Sequence, residues 1–301
     1  MGRGPLSRAR LLYRGLERSG LLGLWRRLRP SPVVLCYHNV IAADSGRGEA
    51  ALHLDRQLFE QHLDWLSRNA TVVPLLDLLG GGPPPRRPGP PSVAITFDDA
   101  YLGVLEIALP LLRRYRFPST IFVTAQASAQ GAGFWWDQVA EARPSLDRAS
   151  LRDRFGGRGH DILAHLGLDP AAIALPSLFQ AASFQSLRSV ADSDLTFGAH
   201  SMSHPMLAMA SDAQLVVELE ESRALLQREL GSVMDLLAYP YGNFDRRVAT
   251  AAAAAGYRAG FTISGGRLTR LNAEFELPRE NLSPGDSGPV FVAAASGLRI
   301  R

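Results

Sequence analysis

Short runs of β-branched and aromatic residues alternate with helical patterns along this 301-residue chain, and this alternation constrains its fold more than any other feature. The runs predicted as strands are residues 33–37, 71–73, 93–97, 120–124, 195–199, 236–239, 258–263 and 275–277. The clearest helical patterns between them are residues 57–69, 103–115, 213–230 and 246–255. Strands that alternate with helices are typical of parallel α/β folds. Seven or eight such units predict a single (β/α)7-8 barrel over residues 31–301.

Two stretches interrupt this alternation. Residues 80–92, GGGPPPRRPGPPS, are too rich in glycine and proline for a helix or a strand, so we interpret them as a surface connector within one domain. Residues 125–194 are too long for a simple loop and carry several weak helical patterns. We therefore predict a helical insertion in the barrel at about residues 125–194.

The first 30 residues form a basic segment that differs from the rest of the chain. They hold eight arginines and one glutamate, a net charge of +7, whereas the whole chain carries only +3. The remaining body is mildly acidic, which argues against a nucleic-acid partner. Leucines lie at roughly helical spacing among the arginines of residues 8–28, which predicts a basic N-terminal helix or arm. This helix could contact an anionic membrane peripherally or pack on its own barrel, and the pattern leaves both open.

The cysteine content and the start of the chain bear on its location. Cys36 is the single cysteine, so no internal disulfide indicates an oxidising compartment. The first residues lack the apolar segment and the small-residue cleavage site of a secretory signal. We therefore expect a cytoplasmic protein, peripheral at the membrane if the basic helix binds lipid.

In the segment SVAITFDDAY, an apolar run ends in two adjacent carboxylates, Asp98 and Asp99. They lie at the C-terminal mouth of a strand, where β/α barrels build their active sites. Consecutive side chains of an extended segment face opposite sides, so one carboxylate could bind a metal while the other faces a substrate water. Taken alone, the pair is equally compatible with a helix cap beside a solvated neighbour.

A later strand-like run is followed by FGAHSMSHPML, which supplies His200 and His204. The two imidazoles lie one turn apart and can converge on a cation such as zinc, with room for a carboxylate and water. Pro205 disfavours a helix at His204, so we expect an irregular turn. Two histidines at this spacing often bind nothing, so the pair alone is weak evidence.

The segment LLAYPYGNFD runs from a strand-like stretch into an aromatic-proline turn. The backbone amide of Tyr241 remains able to donate a hydrogen bond, and beside a metal it could stabilise the oxyanion of a tetrahedral intermediate. A simple packed turn explains the segment equally well.

Together, TFDDAY, HSMSH and AYPYG occur in this order, each after a strand, and the chain thereby resembles the polysaccharide deacetylases, the NodB-homology family of carbohydrate esterases. The resemblance implies a distorted β/α barrel and the hydrolytic N- or O-deacetylation of a glycan. It implies that Asp98 is the catalytic base. It also implies that Asp99, His200 and His204 bind a divalent metal, most often zinc, with cobalt or nickel as alternatives. The amide of Tyr241 would then hold the oxyanion.

The general acid is assigned through a further resemblance. No histidine follows His204, whereas VVLCYHNV places His38 at the end of a buried-looking strand. This resembles the permuted branch of the family, which deacetylates exopolysaccharides such as poly-β-1,6-N-acetylglucosamine and carries its acid histidine in an N-terminal YH motif. The resemblance implies that His38 protonates the leaving amine. The alternative is a core histidine bonded to the backbone.

The chain departs from the family pattern at two positions. Ala100 replaces the usual glycine after the two aspartates, which is a small change. Ala238 replaces the arginine that orients the base at the start of the third motif, so another group has to orient it. Arg279 in LPREN resembles a late family motif and could supply this charge, or it could be a surface arginine paired with Glu280.

The expected function is metal-assisted removal of acetyl groups from N-acetylhexosamines in a polysaccharide, an oligosaccharide or a lipid-linked precursor. The same site would serve an O-acetyl esterase or an amidase acting on a non-sugar amide. A glycan-binding or membrane-associated scaffold with weak activity is a further alternative, suggested by Ala238 and the basic N-terminus. Trp135 and Trp136 in the insertion could stack on sugar rings or pack the insertion onto the barrel.

Overall fold

The computed structural model describes residues 32–42, 48–79, 90–231, 233–269 and 271–298, together with residues 13, 15, 19 and 20. Most of the basic helix predicted over residues 8–28 and most of the connector at residues 80–92 lie outside these ranges. Tyr13 is described and is buried together with Val290 and Ala293 near the C-terminus. No helix among the described residues is long and apolar enough to cross a membrane.

Ten short strands are present in the described part of the chain, and eight of them form one parallel sheet. In chain order they are β1 Val33–Tyr37, β2 Asn39–Ile41, β3 His53–Asp55, β4 Thr71–Val72, β5 Ser92–Phe97, β6 Ser119–Val123, β7 Leu195–Ala199, β8 Leu236–Ala238, β9 Ala259–Phe261 and β10 Glu280–Asn281. The sheet runs in the order β10-β1-β5-β6-β7-β8-β9, with β4 paired to the start of β5. The strands β2 and β3 form a separate parallel pair.

The segment after β9 joins the two edges of the sheet and closes it into a distorted barrel. The amide of Leu277 donates to the carbonyl of Gly260 at 2.9 Å, and the amide of Thr262 donates to the carbonyl of Leu277 at 2.8 Å. Glu280 and Asn281 of β10 then pair with β1 at the opposite edge. The α/β barrel predicted from the alternation of strands and helices is therefore confirmed.

The last predicted strand, at residues 275–277, differs in the structure. Within it only Leu277 forms a β-bridge, to Phe261 of β9, and the paired strand starts at Glu280. Pro278 follows Leu277 and has no N–H group to donate, so it interrupts the ladder between these positions. The other predicted strands agree with β1 and β4 to β9 to within two residues at each end.

Helices connect the strands. The α-helices are Arg56–Asn69, Leu75–Leu79, Leu109–Tyr115, Ala125–Gln130, Trp135–Ala142, Arg148–Phe155, Gly159–His165, Phe184–Val190, Asp212–Val216, Ser222–Leu230, Arg246–Ala254 and Pro289–Ala295. Short 3-10 turns are Pro170–Ala172, Ser177–Phe179, Leu207–Met209 and Pro240–Gly242. The long helices predicted at residues 103–115 and 213–230 each contain a π-helical turn, at Val104–Ala108 and Val217–Glu221. Five of the α-helices lie within residues 125–194.

The strands β1 and β5 lie in the core because they are apolar along almost their whole length. All five residues of β1 are buried, as are five of the six residues of β5. Strands covered on both faces have continuous apolar sequences, which is the pattern of parallel sheets. The helix that follows β3 starts where the carboxylate of Asp55 accepts from the amide of Gln57 at 2.7 Å. Its apolar face buries Phe59 and Leu63.

Candidate active site

The polar residues that the sequence singled out come together at the end of the barrel where the parallel strands finish. β1 leads into His38, β5 into Asp98, and β7 into His200. Because the carboxyl ends of parallel strands share one edge, residues far apart in sequence become neighbours there. They border a cavity of about 480 Å³, whose lining includes His38, Asp98, Asp99, His200, His204 and Tyr241.

Asp98 is held by Arg279 in a buried ion pair. Two nitrogens of the guanidinium donate to the two carboxylate oxygens, each at 2.7 Å, and both side chains are buried. The guanidinium also donates to the carbonyl of Thr262 at 3.1 Å, which fixes its orientation. Arg279 is therefore not the surface arginine paired with Glu280 that one interpretation of the sequence expected. The charge missing at Ala238 comes from the segment before β10.

The ion pair sets the protonation state of the carboxylate. Burial alone would raise the pKa of Asp98, but the adjoining Arg279 guanidinium outweighs burial and holds that pKa well below its ordinary value. The carboxylate is therefore ionised at neutral pH, as a general base has to be. Cys36 contacts it as well, with Sγ 3.3 Å from Oδ2 of Asp98. Burial raises the pKa of the Cys36 thiol, so the thiol stays protonated and donates this contact.

Asp99, His200 and His204 lie beside this ion pair. Oδ1 of Asp99 is 3.7 Å from Nε2 of His200 and 3.3 Å from Nε2 of His204. One ligand atom from each of the three residues lies within 4.8 Å of the other two. Nδ1 of His200 donates to the carbonyl of Ala238 at 2.8 Å, because a carbonyl can only accept. This bond leaves the Nε2 lone pair of His200 available on the side of Asp99.

The three side chains fit a divalent cation. Both oxygens of Asp99 are buried and accept no hydrogen bond within the described part of the structure. Burial and the neighbouring Asp98 raise the pKa of Asp99, so a cation would stabilise its charged form. Two imidazoles and one carboxylate are a donor set typical of zinc and related metals, with positions left for water.

The turns that carry these side chains contain non-glycine residues with left-handed backbone angles. The φ angles are 72° at Asp99, 64° at Ser201, 65° at His204 and 58° at Tyr241. Such conformations cost about 1–3 kcal/mol each and concentrate at functional sites. The irregular turn predicted at His204 is present. Asp99 is not extended, so it is this left-handed turn, and not the alternation of a strand, that separates its side chain from that of Asp98.

Tyr241 and the two tryptophans of the insertion form an aromatic wall around His204. The ring centroids of Tyr241 and Trp136 lie 4.5 Å and 4.8 Å from that of His204. Nε1 of Trp135 donates to the hydroxyl of Tyr241 at 3.1 Å. The tryptophans are only 6% and 5% exposed, yet both line the cavity. They therefore pack the insertion onto the barrel and border the cavity at the same time.

His38 borders the same cavity and is half-buried. Its Nδ1 is buried and has no hydrogen-bond partner among the described residues. Burial is the largest cause that lowers the pKa of His38 to about 4, although the Asp98 carboxylate opposes it. The imidazole is therefore neutral in the resting protein at pH 7. It has to gain a proton during a reaction before it can donate one.

Sequence reasoning missed a buried carboxylate in the insertion, Asp137. Its Oδ2 accepts from the hydroxyl of Tyr101 at 2.7 Å, and its Oδ1 accepts from Nε2 of His53 at 2.8 Å. The amide of Glu49 donates to the same Oδ1 at 2.6 Å. Asp137 thereby connects the insertion to the turn after Asp99 and to the loop before β3. The one signal in the sequence is a charged residue within the aromatic run FWWDQ.

A second carboxylate that sequence reasoning missed is Glu218, in the π-helical turn Val217–Glu221. Its Oε2 accepts from the amides of Met202 and Ser203, at 3.0 Å and 2.9 Å. Both amides belong to the loop between the two histidines. The helical pattern of residues 213–230 carries no signal that distinguishes a π-turn from an ordinary α-helix.

A parallel barrel that holds an ionised aspartate beside an Asp-His-His group at its carboxyl end has the arrangement of a hydrolase that uses a divalent metal. The sequence profile of the polysaccharide deacetylase family matches residues 86–260, which is more than half of the chain. The chain belongs to this family and is a carbohydrate deacetylase. The family predicted from the three motifs is therefore confirmed.

Three individual proteins illustrate what the chain is similar to. Streptococcus pyogenes deacetylase PplD in complex with acetate matches with a TM-score of 0.63 at 18% identity, covering 88% of this chain and 98% of that one. IcaB from Ammonifex degensii matches with a TM-score of 0.63 at 20% identity, covering 89% and 98%. YxkH of Bacillus subtilis (strain 168) is 22% identical over 268 residues, 88% of this chain and 76% of that one. The two structures support the barrel fold.

Proposed function

We propose that the chain hydrolyses the acetamide of N-acetylhexosamines in a polysaccharide, an oligosaccharide or a lipid-linked sugar, and that it uses a divalent metal to do so. Zinc suits the donor set best, with cobalt or nickel as alternatives. One observation carries the proposal: Arg279 holds an ionised Asp98 beside the Asp-His-His group at a cavity. This arrangement supports a base that acts next to a metal.

A metal held by Asp99, His200 and His204 would supply Lewis-acid chemistry, which lowers the pKa of water and polarises a carbonyl group. Asp98 takes the proton of the attacking water, since its carboxylate is ionised and borders the same cavity. The water oxygen bonds to the acetyl carbon, and the carbon–nitrogen bond then breaks. The products are acetate and the free amino sugar.

Two further groups complete the proposed reaction. The backbone amide of Tyr241, in the turn after β8, donates to the acetyl oxygen as negative charge develops on it. The proton that Asp98 takes from the water passes on to His38, which borders the same cavity, and the imidazolium then donates it to the leaving nitrogen. The His38 pKa of about 4 makes the imidazolium a strong acid once it has formed.

The alternative of a glycan-binding or membrane-associated scaffold with weak activity loses its main support in this arrangement. It was suggested by Ala238, which stands where the family has an arginine, but Arg279 supplies that charge to Asp98. An O-acetyl esterase or a non-sugar amidase would use the same groups, so only substrate assays separate those alternatives from N-deacetylation.

The test is acetate release by the purified full chain, stripped of metal and resupplied with zinc, cobalt or nickel. N-acetylglucosamine oligomers and O-acetylated glycans are assayed in parallel. We expect metal-dependent release from the N-acetylated oligomers. Release from the O-acetylated glycans alone would replace the proposal by an esterase, and no release with any metal, despite stoichiometric binding, would contradict both.

A further inference from the structure

The histidine loop, residues 200–204, carries two of the three proposed metal ligands on a backbone that its own residues do not favour. Ser201 and His204 have φ angles of 64° and 65°, and neither is glycine. L-residues enter this region at a cost, and they persist there only where surrounding contacts outweigh it. The histidine loop therefore depends on groups outside itself.

One set of outside contacts holds the loop through its carbonyl groups. The carbonyl of Ser201 accepts from the amide of Ala125 at 3.1 Å, and the carbonyl of Met202 accepts from the amide of Gln126 at 2.9 Å. Both donors lie in the first turn of the helix Ala125–Gln130, where amides have no partner within their own helix. This contact fixes one side of the loop.

Glu218 holds the same loop through its hydrogen-bond donors, two backbone N–H groups and one hydroxyl group. Its Oε2 accepts from the amides of Met202 and Ser203 at 3.0 Å and 2.9 Å, and its Oε1 accepts from the Ser203 hydroxyl. A single carboxylate thus engages three donors of two consecutive residues. A carboxylate accepts stronger hydrogen bonds than a neutral carbonyl group, so Glu218 makes a substantial contribution to holding the loop backbone.

The π-helical turn explains why this carboxylate faces inward. A π-turn inserts one extra residue into a helix and so changes which side chains point to the interior. Glu218 is 7% exposed, whereas Glu220 and Glu221 of the same turn are exposed. A buried carboxylate is costly unless its oxygens are paired, and here the histidine loop pairs them.

We propose that Glu218 is a positioning residue, which fixes the histidine loop so that His200 and His204 face Asp99 before a metal binds. The inference rests on the proposed metal site. Glu218 is not itself a ligand, since its oxygens are engaged by the loop. Without Glu218, the metal would have to order the loop as it binds. The free energy spent on ordering would lower the affinity for the metal.

The test compares Glu218→Gln with Glu220→Gln, which makes the same chemical change on an exposed residue of the same turn. The zinc dissociation constant of each metal-free full chain is measured by competition with a chromogenic chelator. Loss of a residue that holds metal ligands in place through hydrogen bonds typically weakens metal binding by about 10- to 100-fold. We therefore expect the zinc dissociation constant of Glu218→Gln to exceed that of Glu220→Gln by this factor. Saturating zinc should return the activity of Glu218→Gln to within a few-fold of the control.

A second variant keeps the test decisive if Glu218→Gln does not fold. Ser203→Ala removes only the hydroxyl bond to Glu218, and a several-fold weaker zinc affinity is expected. Equal zinc affinity in the Glu218 and Glu220 variants, with a lowered melting temperature of the metal-free protein, would show a merely structural role and overturn the proposal. Failure of the unaltered chain to bind zinc would instead contradict the metal site itself.

Discussion

Replacing Arg279 by methionine should make Asp98 protonate within the pH range of the assay. Two hydrogen bonds of 2.7 Å join the buried guanidinium to the carboxylate. A hydrogen bond to a charged group contributes about 1.5–3 kcal/mol, so losing two removes about 3–6 kcal/mol from the ionised form. One pKa unit corresponds to about 1.4 kcal/mol, which predicts a rise in the pKa of Asp98 by about 2–4 units. Burial of Asp98 acts in the same direction.

The assay is the pH dependence of kcat/KM at several zinc concentrations. In the unaltered chain, the acid limb of the profile should report metal loss as His200 and His204 protonate, so added zinc should move it. In Arg279→Met, a further acid limb should report Asp98, and added zinc should leave it in place. Arg279→Lys retains the positive charge but cannot form both hydrogen bonds to Asp98. The pKa that its acid limb reports for Asp98 should therefore lie between that of the unaltered chain and that of Arg279→Met.

Arg113→Met is the matched control, because Arg113 forms an ion pair with Asp192 at the exposed surface. Removing one partner of a buried pair also destabilises a fold by about 3–5 kcal/mol, so thermal unfolding is measured alongside. A folded Arg279→Met whose pH profile equals that of the control at every zinc concentration would refute the reasoning.

Three further predictions concern the metal, the acid stability and the N-terminus. Asp98→Asn should retain zinc but lose nearly all turnover, whereas His200→Ala should lose zinc as well. Metal analysis and acetate release check both variants. Retained turnover in Asp98→Asn would show that Asp98 is not the base. Stability should fall between about pH 6.5 and about pH 4, because burial lowers the pKa of His62 to about 4 and the unfolded chain alone binds its proton in that window. The difference between the two pKa values corresponds to about 3 kcal/mol of unfolding free energy. When this free energy is measured by urea unfolding at several pH values, it should fall less steeply with decreasing pH in His62→Gln than in the unaltered chain. An unchanged pH dependence would show that His62 is not the cause. If residues 8–28 contact an anionic membrane, removing residues 1–30 should abolish sedimentation with anionic liposomes, and equal sedimentation of the two forms would exclude this contact.

The fold was predictable where a strand is one long apolar run. β1 and β7 match their predicted bounds, whereas β6, which is also five residues long, starts and ends one residue earlier than predicted. β2 and β3 were missed, since three residues each are too few to show a period and their pairing depends on tertiary position. The strand expected at residues 275–277 was misplaced because composition cannot show which residues around a proline find a partner.

The candidate site was predictable where the residue type itself carries chemistry. Adjacent carboxylates and paired histidines after strands pointed to Asp98 and His200 without any structure. Asp137 and Glu218 were not predictable, because both work by accepting hydrogen bonds from segments that the fold brings to them. The amide that Asp137 binds at Glu49 is 88 positions away in sequence, so local pattern carries no trace of that contact.

The barrel explains how Asp98 has a guanidinium partner although position 238 is alanine. β1 lies between β5 and β10, and Asp98 follows β5 while Arg279 precedes β10. The guanidinium therefore reaches the carboxylate from two strands away. A guanidinium within hydrogen-bond distance keeps this buried carboxylate ionised. For Asp98, the position of the charge in the folded barrel therefore matters more than the sequence motif that carries it.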